Sequence, residues 1–204
     1  MTAAQERALE DHWDIYGLGI GEGEQDFDQV FEVVRPIILE IGFGMGESLY
    51  KQALKDPDTN FIGIDVHLPG IGNLIQLLER TKTKNLKIYG EDAIEIMKTA
   101  IKDSVLSGVQ LLFPDPWPKK KHHKRRLVTK DFIELLSQKL RKGGTFLVVT
   151  DSFPYYEVIQ DLFSLRSDFA KIASPTREET KYERRGKALG NEIHELYFRL
   201  DQKH

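Results

Sequence analysis

Short, unbroken apolar runs recur along this sequence, and the first five are each followed by a segment with helical periodicity. Such runs are typical of strands buried on both faces, and repeated strand–helix units predict a parallel sheet. The five predicted strands are 37–41, 61–65, 86–89, 109–113 and 145–149. Two more, 169–173 and 193–200, have only a polar loop between them. We predict an α/β fold: a mostly parallel seven-stranded sheet with helices on both faces and an antiparallel C-terminal strand.

The N-terminal segment differs from this pattern. Residues 2–13 are predicted to form a helix, because Thr2 and Gln5 have the spacing of a capping box. Residues 17–29 are rich in glycine and lack periodicity, so we predict a flexible loop. The single domain 1–204 thus comprises an N-terminal helix and loop over 1–36 and a core over 37–204 that carries the candidate site.

Composition excludes several classes of site and location. The 204 residues include no cysteine, so disulfides, thiolate metal sites and cysteine nucleophiles are impossible. No apolar stretch approaches the ~20 residues of a membrane-spanning helix, and the first residues do not resemble a signal peptide. We therefore expect a cytoplasmic protein with no membrane partner.

The segment 113–126 combines a stiff turn with a dense positive charge. Three prolines surround Asp115 and Trp117, and since proline lacks an amide donor they exclude a regular helix or central strand. Six Lys or Arg and two His then fill positions 119–126. The net charge is −3, so the rest of the chain carries −9. Basic runs are often solvated surface, but one between a strand and a helix favours a nucleic-acid partner.

A glycine-rich turn follows the first predicted strand, with Gly42, Gly44 and Gly46 at alternate positions. Glycines permit a sharp turn and a close approach to a ligand, and the following helix offers free N–H groups. The G-x-G-x-G spacing differs from the G-x-G-x-x-G of dinucleotide sites. Glu40 lies two residues earlier, where a carboxylate suits a cationic ligand better than a pyrophosphate.

Acidic residues also follow the next three strands, at Asp65, Asp92 and Asp115. Ligands bind at the carboxyl ends of strands in such sheets, so these acids and Glu40 are expected around one pocket. Asp65 and Asp92 are equally suited to capping, whereas an unpaired buried Glu40 would be costly. An acid after the second strand suits ribose hydroxyls in both NAD and S-adenosylmethionine sites. An acid that can pair with an ammonium favours S-adenosylmethionine.

Four segments resemble motifs of the tRNA (guanine-N7-)-methyltransferase family. They are LEIGFGMG at 39–46, GIDVH at 63–67, FPDPW at 113–117 and TKYERRG at 180–186. The resemblance runs in order over nearly the whole chain. It implies a Rossmann-like S-adenosylmethionine methyltransferase that methylates N7 of guanine 46 in the tRNA variable loop. We expect S-adenosylmethionine as cofactor, tRNA as partner, no metal ion, and a monomer or homodimer.

The resemblance also implies roles for individual residues at matching positions. Cofactor contacts are expected at Glu40, Gly42, Gly44, Gly46, Asp65, Asp92 and Asp115. Substrate contacts are expected at Lys119, Asp151, Thr180, Lys181, Tyr182 and Glu183. RNA contacts are expected at Lys121, His122, His123, Lys124, Arg125 and Arg126. Asp115 is the candidate catalytic residue, since a carboxylate that accepts from guanine N1–H and N2–H₂ binds more strongly as the ring becomes cationic.

Two other functions fit parts of the sequence. A non-catalytic RNA-binding module on a methyltransferase scaffold predicts loss of Glu40 or of the glycine turn, and both are intact. A small-molecule methyltransferase leaves the basic segment unexplained.

A long polar loop is predicted over 174–191. At the end of the sheet, this loop would form a flap over the target nucleotide.

Overall fold

The computed structural model describes residues 1–21, 23–175, 177 and 179–202. These residues form one eight-stranded sheet and the helices around it. The strands are β1 Gly17–Leu18, β2 Ile37–Ile41, β3 Asn60–Ile64, β4 Leu86–Tyr89, β5 Leu106–Leu112, β6 Leu140–Thr150, β7 Phe169–Lys171 and β8 His194–Leu200. The helices are α1 Ala3–Tyr16, α2 Phe27–Val30, α3 Glu47–Lys55, α4 Leu68–Thr81, α5 Ala93–Thr99, α6 Lys130–Lys139, α7 Phe153–Ser164 and α8 Lys181–Ala188. A 3-10 helix spans Lys120–Arg125. Among the described residues, no helix is long and apolar enough to cross a membrane.

The strand order β1-β4-β3-β2-β5-β6-β8-β7 makes this a doubly wound sheet. All neighbouring strands are parallel except β8, which is antiparallel to both β6 and β7. The chain winds outwards from β2 in one direction and from β5 in the other. The carboxyl ends of β2 and β5 therefore flank the crevice in which such sheets bind ligands. The predicted Rossmann-like fold is confirmed.

Each face of the sheet carries its own hydrophobic core. The larger core joins the sheet to α5, α6 and α7, and the smaller one joins it to α1, α3 and α4. In β2, Leu39 and Ile41 are buried in the larger core. Because side chains alternate along a strand, Glu40 must point to the opposite face, beneath α3.

The eighth strand, β1, lies in the segment that we predicted as a flexible loop, so the prediction of seven strands was one too few. Gly17 pairs with Ile88, and Leu18 pairs with Tyr89. A Cβ atom on Gly17 would lie 2.2 Å from the Trp13 ring, so glycine allows the strand to begin directly beside α1. Two residues are too few for any periodicity to predict.

Helix α8 corrects the prediction of a polar loop between the last two strands. The hydroxyl of Thr180 caps this helix by accepting from the backbone N–H of Glu183 at 3.0 Å. The sequence carries this signal as T-x-x-E. Gly143 and Gly144 lie in an irregular start of β6, where Gly143 has φ 78°.

Candidate active site

A cavity of about 430 Å³ opens at the carboxyl ends of β2 and β5, between the glycine turn and α8. Its walls come from the three segments 40–48, 112–113 and 180–185. It brings together a subset of the predicted site residues: Glu40, Gly42, Gly44, Gly46, Thr180, Lys181 and Tyr182. Among the described residues, Asp65, Asp92, Asp115, Lys119 and Asp151 lie outside these walls.

The glycine turn has a left-handed backbone at Gly42, Gly44 and Gly46, with φ angles of 73°, 60° and 74°. Residues with a Cβ atom adopt such angles at a cost, so the turn depends on glycine. At Gly42 and Gly44 an added Cβ would meet no heavy atom within 4 Å. The backbone is therefore open to a ligand on this side. Gly46 directly precedes α3 and provides no side-chain cap, so N–H groups of its first turn remain available.

Asp65 connects the turn to the end of β3. One carboxylate oxygen accepts from the N–H of Gly44 at 2.7 Å, and the other accepts from the N–H of His67 at 2.9 Å. Helix α4 approaches from behind, because a Cβ atom on Gly70 would lie 1.9 Å from the carbonyl oxygen of Gly44. Asp65 thus fixes the turn while each oxygen keeps a further lone pair for a ligand.

Glu40 is the buried carboxyl of the cavity, with 2% exposure. Its Oε2 accepts from the Gln52 amide at 3.3 Å, and Gln52 in turn accepts from the Gln110 amide at 2.9 Å. Burial raises the pKa of Glu40 to about 7, against the effect of the Gln52 hydrogen bond and with a smaller contribution from Asp65. Near neutral pH this carboxyl therefore exists in both forms.

The two glutamines of this chain were missed by sequence reasoning. Gln110 lies in an apolar strand opposite Glu40 in the register of β5 against β2, and Gln52 lies twelve positions after Glu40, on α3. The sequence contains one signal for them, because a polar residue stands at the position that faces Glu40 on the neighbouring strand and on the following helix. It becomes visible only when the register is known.

Asp115 lies on a strained loop between two residues with positive φ angles. Phe113 has φ 54° and Trp117 has φ 41°, which is unfavourable for bulky side chains and is often found at functional sites. The N–H of Phe113 donates to the carbonyl of Val149 at 2.8 Å, which attaches the loop to the end of β6. Asp115 itself is exposed.

Arg126 holds the other end of this loop. Its Nε donates to the carbonyl of Pro116 at 2.8 Å, and its guanidinium lies 4.8 Å from the ring centroid of Tyr155. The side chain is buried, with 8% exposure. Arg126 thus supports the Asp115 loop through contacts within the protein, and its contact with RNA stays a prediction.

The rest of the basic segment forms the 3-10 helix, and we call Lys121, His122, His123, Lys124 and Arg125 the cationic strip. All are exposed except His122, which is half-buried. The guanidinium of Arg125 lies 4.8 Å from the ring centroid of Trp117, and the His122 ring contacts the Trp117 ring edge-on at 5.7 Å. Trp117 thereby anchors an otherwise solvated strip next to Asp115.

Helix α8 covers one side of the cavity and is held by a buried ion pair. Glu183 has 3% exposure and accepts from Arg177 at 2.6 Å, while Arg177 also pairs with Glu195 on β8. Lys187 lies 3.3 Å from the other oxygen of Glu183. Burial opposes ionisation, but the two cations lower the pKa of Glu183. Glu183 therefore fixes α8, together with Arg177, which the sequence analysis missed, and its contact with the substrate stays a prediction.

The exposed side of α8 faces the cavity. Lys181 Nζ lies 3.9 Å from a carboxylate oxygen of Glu47, and the Tyr182 ring lies 5.9 Å from the Phe113 ring. Tyr182 is 70% exposed. Because these contacts are few and exposed, they stabilise α8 less than the ion pairs of Glu183 do.

The remaining predicted residues are placed around the same edge of the sheet. Asp92 caps α5, with one oxygen accepting from the N–H groups of Ile94 and Glu95. Asp151 follows β6 and accepts from the Asn191 amide at 3.2 Å. Lys119 precedes the 3-10 helix and is exposed. Within the described part of the chain, no group of three His, Asp or Glu side chains is arranged to hold a metal ion.

We predict that Glu40→Gln reduces the pH dependence of stability. The pKa of Glu40 is raised from 4.5 to about 7, so the folded protein holds this proton more tightly than the unfolded chain. The stabilisation from this proton is complete at pH values below the pKa of Glu40 in the unfolded chain, and it is lost as pH rises through 7. Thermal melts from about pH 5 to 8 should therefore show a smaller decline for the variant than for wild type. The exposed Glu10→Gln should follow wild type, and equal declines for Glu40→Gln would contradict the prediction.

Solved structures with the same fold include RNA methyltransferases. The 16S rRNA methyltransferase KamB superposes with a TM-score of 0.64 at 15% identity, covering 86% of this chain and 93% of that one. The tRNA (m1A58) methyltransferase TrmI from Aquifex aeolicus superposes with a TM-score of 0.56 at 11% identity, covering 82% and 63%. At such identities these matches establish the fold alone.

Sequence comparison is more specific. The profile of a family described as "Putative methyltransferase" matches residues 34–196. The tRNA (guanine-N(7)-)-methyltransferase of Chromohalobacter salexigens is 40% identical over 97% of this chain and 85% of its own length. That of Colwellia psychrerythraea is 44% identical over 97% and 84%. These relatives align along almost the whole chain, across the glycine turn, the Asp115 loop and α8, and the chain therefore belongs to the tRNA (guanine-N7-)-methyltransferase family.

Proposed function

We propose that this protein transfers the methyl group of S-adenosylmethionine to N7 of guanine 46 in the variable loop of tRNA. The observation that carries the proposal is a juxtaposition at one edge of the sheet. A cavity with a buried acid beneath a glycine turn adjoins a strained carboxylate loop and an exposed cationic strip. Relatives of 40–44% identity are named as tRNA (guanine-N(7)-)-methyltransferases.

Groups in and beside the cavity suit the polar parts of S-adenosylmethionine. Glu40 suits the ammonium of the methionine part, because its pKa of about 7 lets a neighbouring cation draw it into the ionised form. Asp65 has free lone pairs for ribose hydroxyls, and the open backbone at Gly42 and Gly44 admits the ligand closely. The bound cofactor would supply an electrophilic methyl group on its sulfonium.

The protein's task is then to align the nucleophile and stabilise the charge that develops. Guanine N7 has an in-plane lone pair, so no general base is needed, and positioning provides the main acceleration. Asp115 would accept from guanine N1–H and N2–H₂, whose protons become more acidic as the ring becomes cationic. This contact is stronger in the transition state than in the ground state. Adenine has no donor at N1, so the same contact selects guanine.

Detection of N7-methylguanine tests the function directly. The protein is incubated with labelled S-adenosylmethionine and an unmodified tRNA transcript, followed by chain cleavage specific for N7-methylguanine. We expect one cleavage, at guanine 46, and none in a transcript that carries adenine there. Tight tRNA binding without methyl transfer would support the non-catalytic RNA-binding alternative and overturn the proposal.

We expect Asp115→Asn to lower kcat by roughly two to three decades, comparable to removing one preorganised electrostatic interaction. Asparagine keeps the size and turn-forming ability of aspartate but presents an amide to guanine's own donors. Single-turnover rates at saturating tRNA and S-adenosylmethionine should fall while the melting temperature remains close to wild type, and S-adenosylmethionine affinity should change far less than kcat. Asp58→Asn, an exposed change before β3 at the opposite edge, should have no effect. Near-wild-type turnover of Asp115→Asn would remove Asp115 from catalysis.

Neutralising Lys121, Lys124 and Arg125 together, each to Gln, should weaken tRNA binding and flatten its dependence on salt. The log–log slope should fall by up to about 0.9 for each tRNA phosphate that the variant no longer neutralises. A matched variant neutralises three exposed cations at the far edge of the sheet, Lys98, Arg141 and Lys142, and should keep the wild-type slope. Affinity for S-adenosylmethionine should not change in either variant. Equal slopes for the two triple variants would make the cationic strip an ordinary solvated surface.

A further inference from the structure

Four side chains form a compact surface cluster where α7 and β8 begin and β7 ends. The Phe153 ring is stacked on Tyr156, with centroids 6.0 Å apart and an interplanar angle of 19°. The His194 ring lies 5.3 Å from Phe153 and 5.1 Å from Tyr156. Lys171 Nζ lies 5.8 Å from the Tyr156 centroid. We call these four residues the aromatic platform.

Tyr156 packs against the larger core, but core packing does not account for Phe153. Helix α7 buries Tyr155, Ile159 and Phe163 at helical spacing, and these residues join it to the sheet. Phe153 lies outside this buried stripe and is 52% exposed. A ring that remains half in water contributes little to folding by burial, and an exposed cluster of aromatic rings offers a surface on which a partner can stack.

The platform adjoins the candidate active site on one side and the support of the Asp115 loop on the other. Asp151 lies two residues before Phe153, and Thr150 pairs with His194 in the register of β6 against β8. Tyr155, two residues after Phe153, lies beneath Arg126, which fixes the loop that leads to the cationic strip. A nucleotide chain that crosses the strip and places a base at Asp115 would pass close to the platform.

We propose that the aromatic platform is a stacking site for a tRNA base next to the target guanine, with Phe153 as the stacking surface. The inference rests on the proposed function. Enzymes that act on a base take it out of its stack, and removal of the guanine exposes a neighbouring base. Stacking on an aromatic ring compensates for this and tolerates any base. Lys171 and His194 would lie beside the phosphates of that nucleotide.

Three substitutions of Phe153 separate stacking from simple apolar contact. Phe153→Leu keeps an apolar side chain but removes the π-face, Phe153→Ala removes both, and Phe153→Trp enlarges the ring. Titrations with unmodified tRNA should give an affinity about 5- to 100-fold weaker for Leu and Ala, and equal to or tighter than wild type for Trp. The salt slope should stay unchanged in all three, because the protein keeps its full charge, and this contrasts with the strip variants.

Leu165→Ala provides the matched control, since Leu165 ends the same helix, is 73% exposed and lies away from the platform. It should leave tRNA affinity at the wild-type value. The melting temperature and S-adenosylmethionine affinity should be unchanged for every Phe153 variant. Wild-type tRNA affinity for Phe153→Leu would overturn the inference, as would a change in sedimentation without a change in tRNA binding, which would indicate a protein partner.

A photo-reactive phenylalanine analogue at position 153 tests the contact itself. It should crosslink to nucleotides that flank guanine 46, and crosslinks confined to other parts of the tRNA would overturn the inference. Failure of the proposed function would have a different signature. The wild-type protein would then form no N7-methylguanine, while the affinity ranking of the Phe153 variants would still decide whether a base stacks there.

Discussion

The burial of one carboxyl group, that of Glu40, organises the centre of this protein. Leu39 and Ile41 must face the larger core, so the side chain between them enters the other face of the sheet. A lone ionised group in that position would be costly, and the amide chain from Gln110 through Gln52 compensates in part. The remaining cost of burial raises the pKa of Glu40 to about 7, so that a cationic ligand in the cavity favours its ionised form.

The Asp115 loop and α8 are fixed by attachments outside the cavity. Arg126 and Val149 hold the two ends of the Asp115 loop, and Arg177 holds α8 against β8. The strain at Phe113 and Trp117 persists because these attachments overdetermine the loop. The groups that we propose to touch a substrate are thereby left exposed and prepositioned, which lowers the entropy cost of binding.

Much of the architecture followed from local pattern, because buried strands and amphipathic helices carry their signal within a few residues. The predicted strand 86–89 coincides with β4, and the predicted strand 37–41 coincides with β2. The glycine turn and the Asp115 loop were likewise visible as glycine and proline spacing. The two-residue β1 was invisible to periodicity, and α8 was missed although its T-x-x-E cap was present, because its sequence is too polar to suggest a packed helix.

The sequence by itself determined the class of fold, the position of the cavity at the carboxyl edge, and which residue types meet there. Only the tertiary structure decided how individual charges are used. Arg126 and Glu183 belong to segments that look solvent-exposed in the sequence, yet one is buried against Tyr155 and the other is buried between Arg177 and Lys187. The reason is that the hydrophobic pattern of a sequence indicates which apolar groups are buried, whereas burial of a charge depends on a partner distant in the chain.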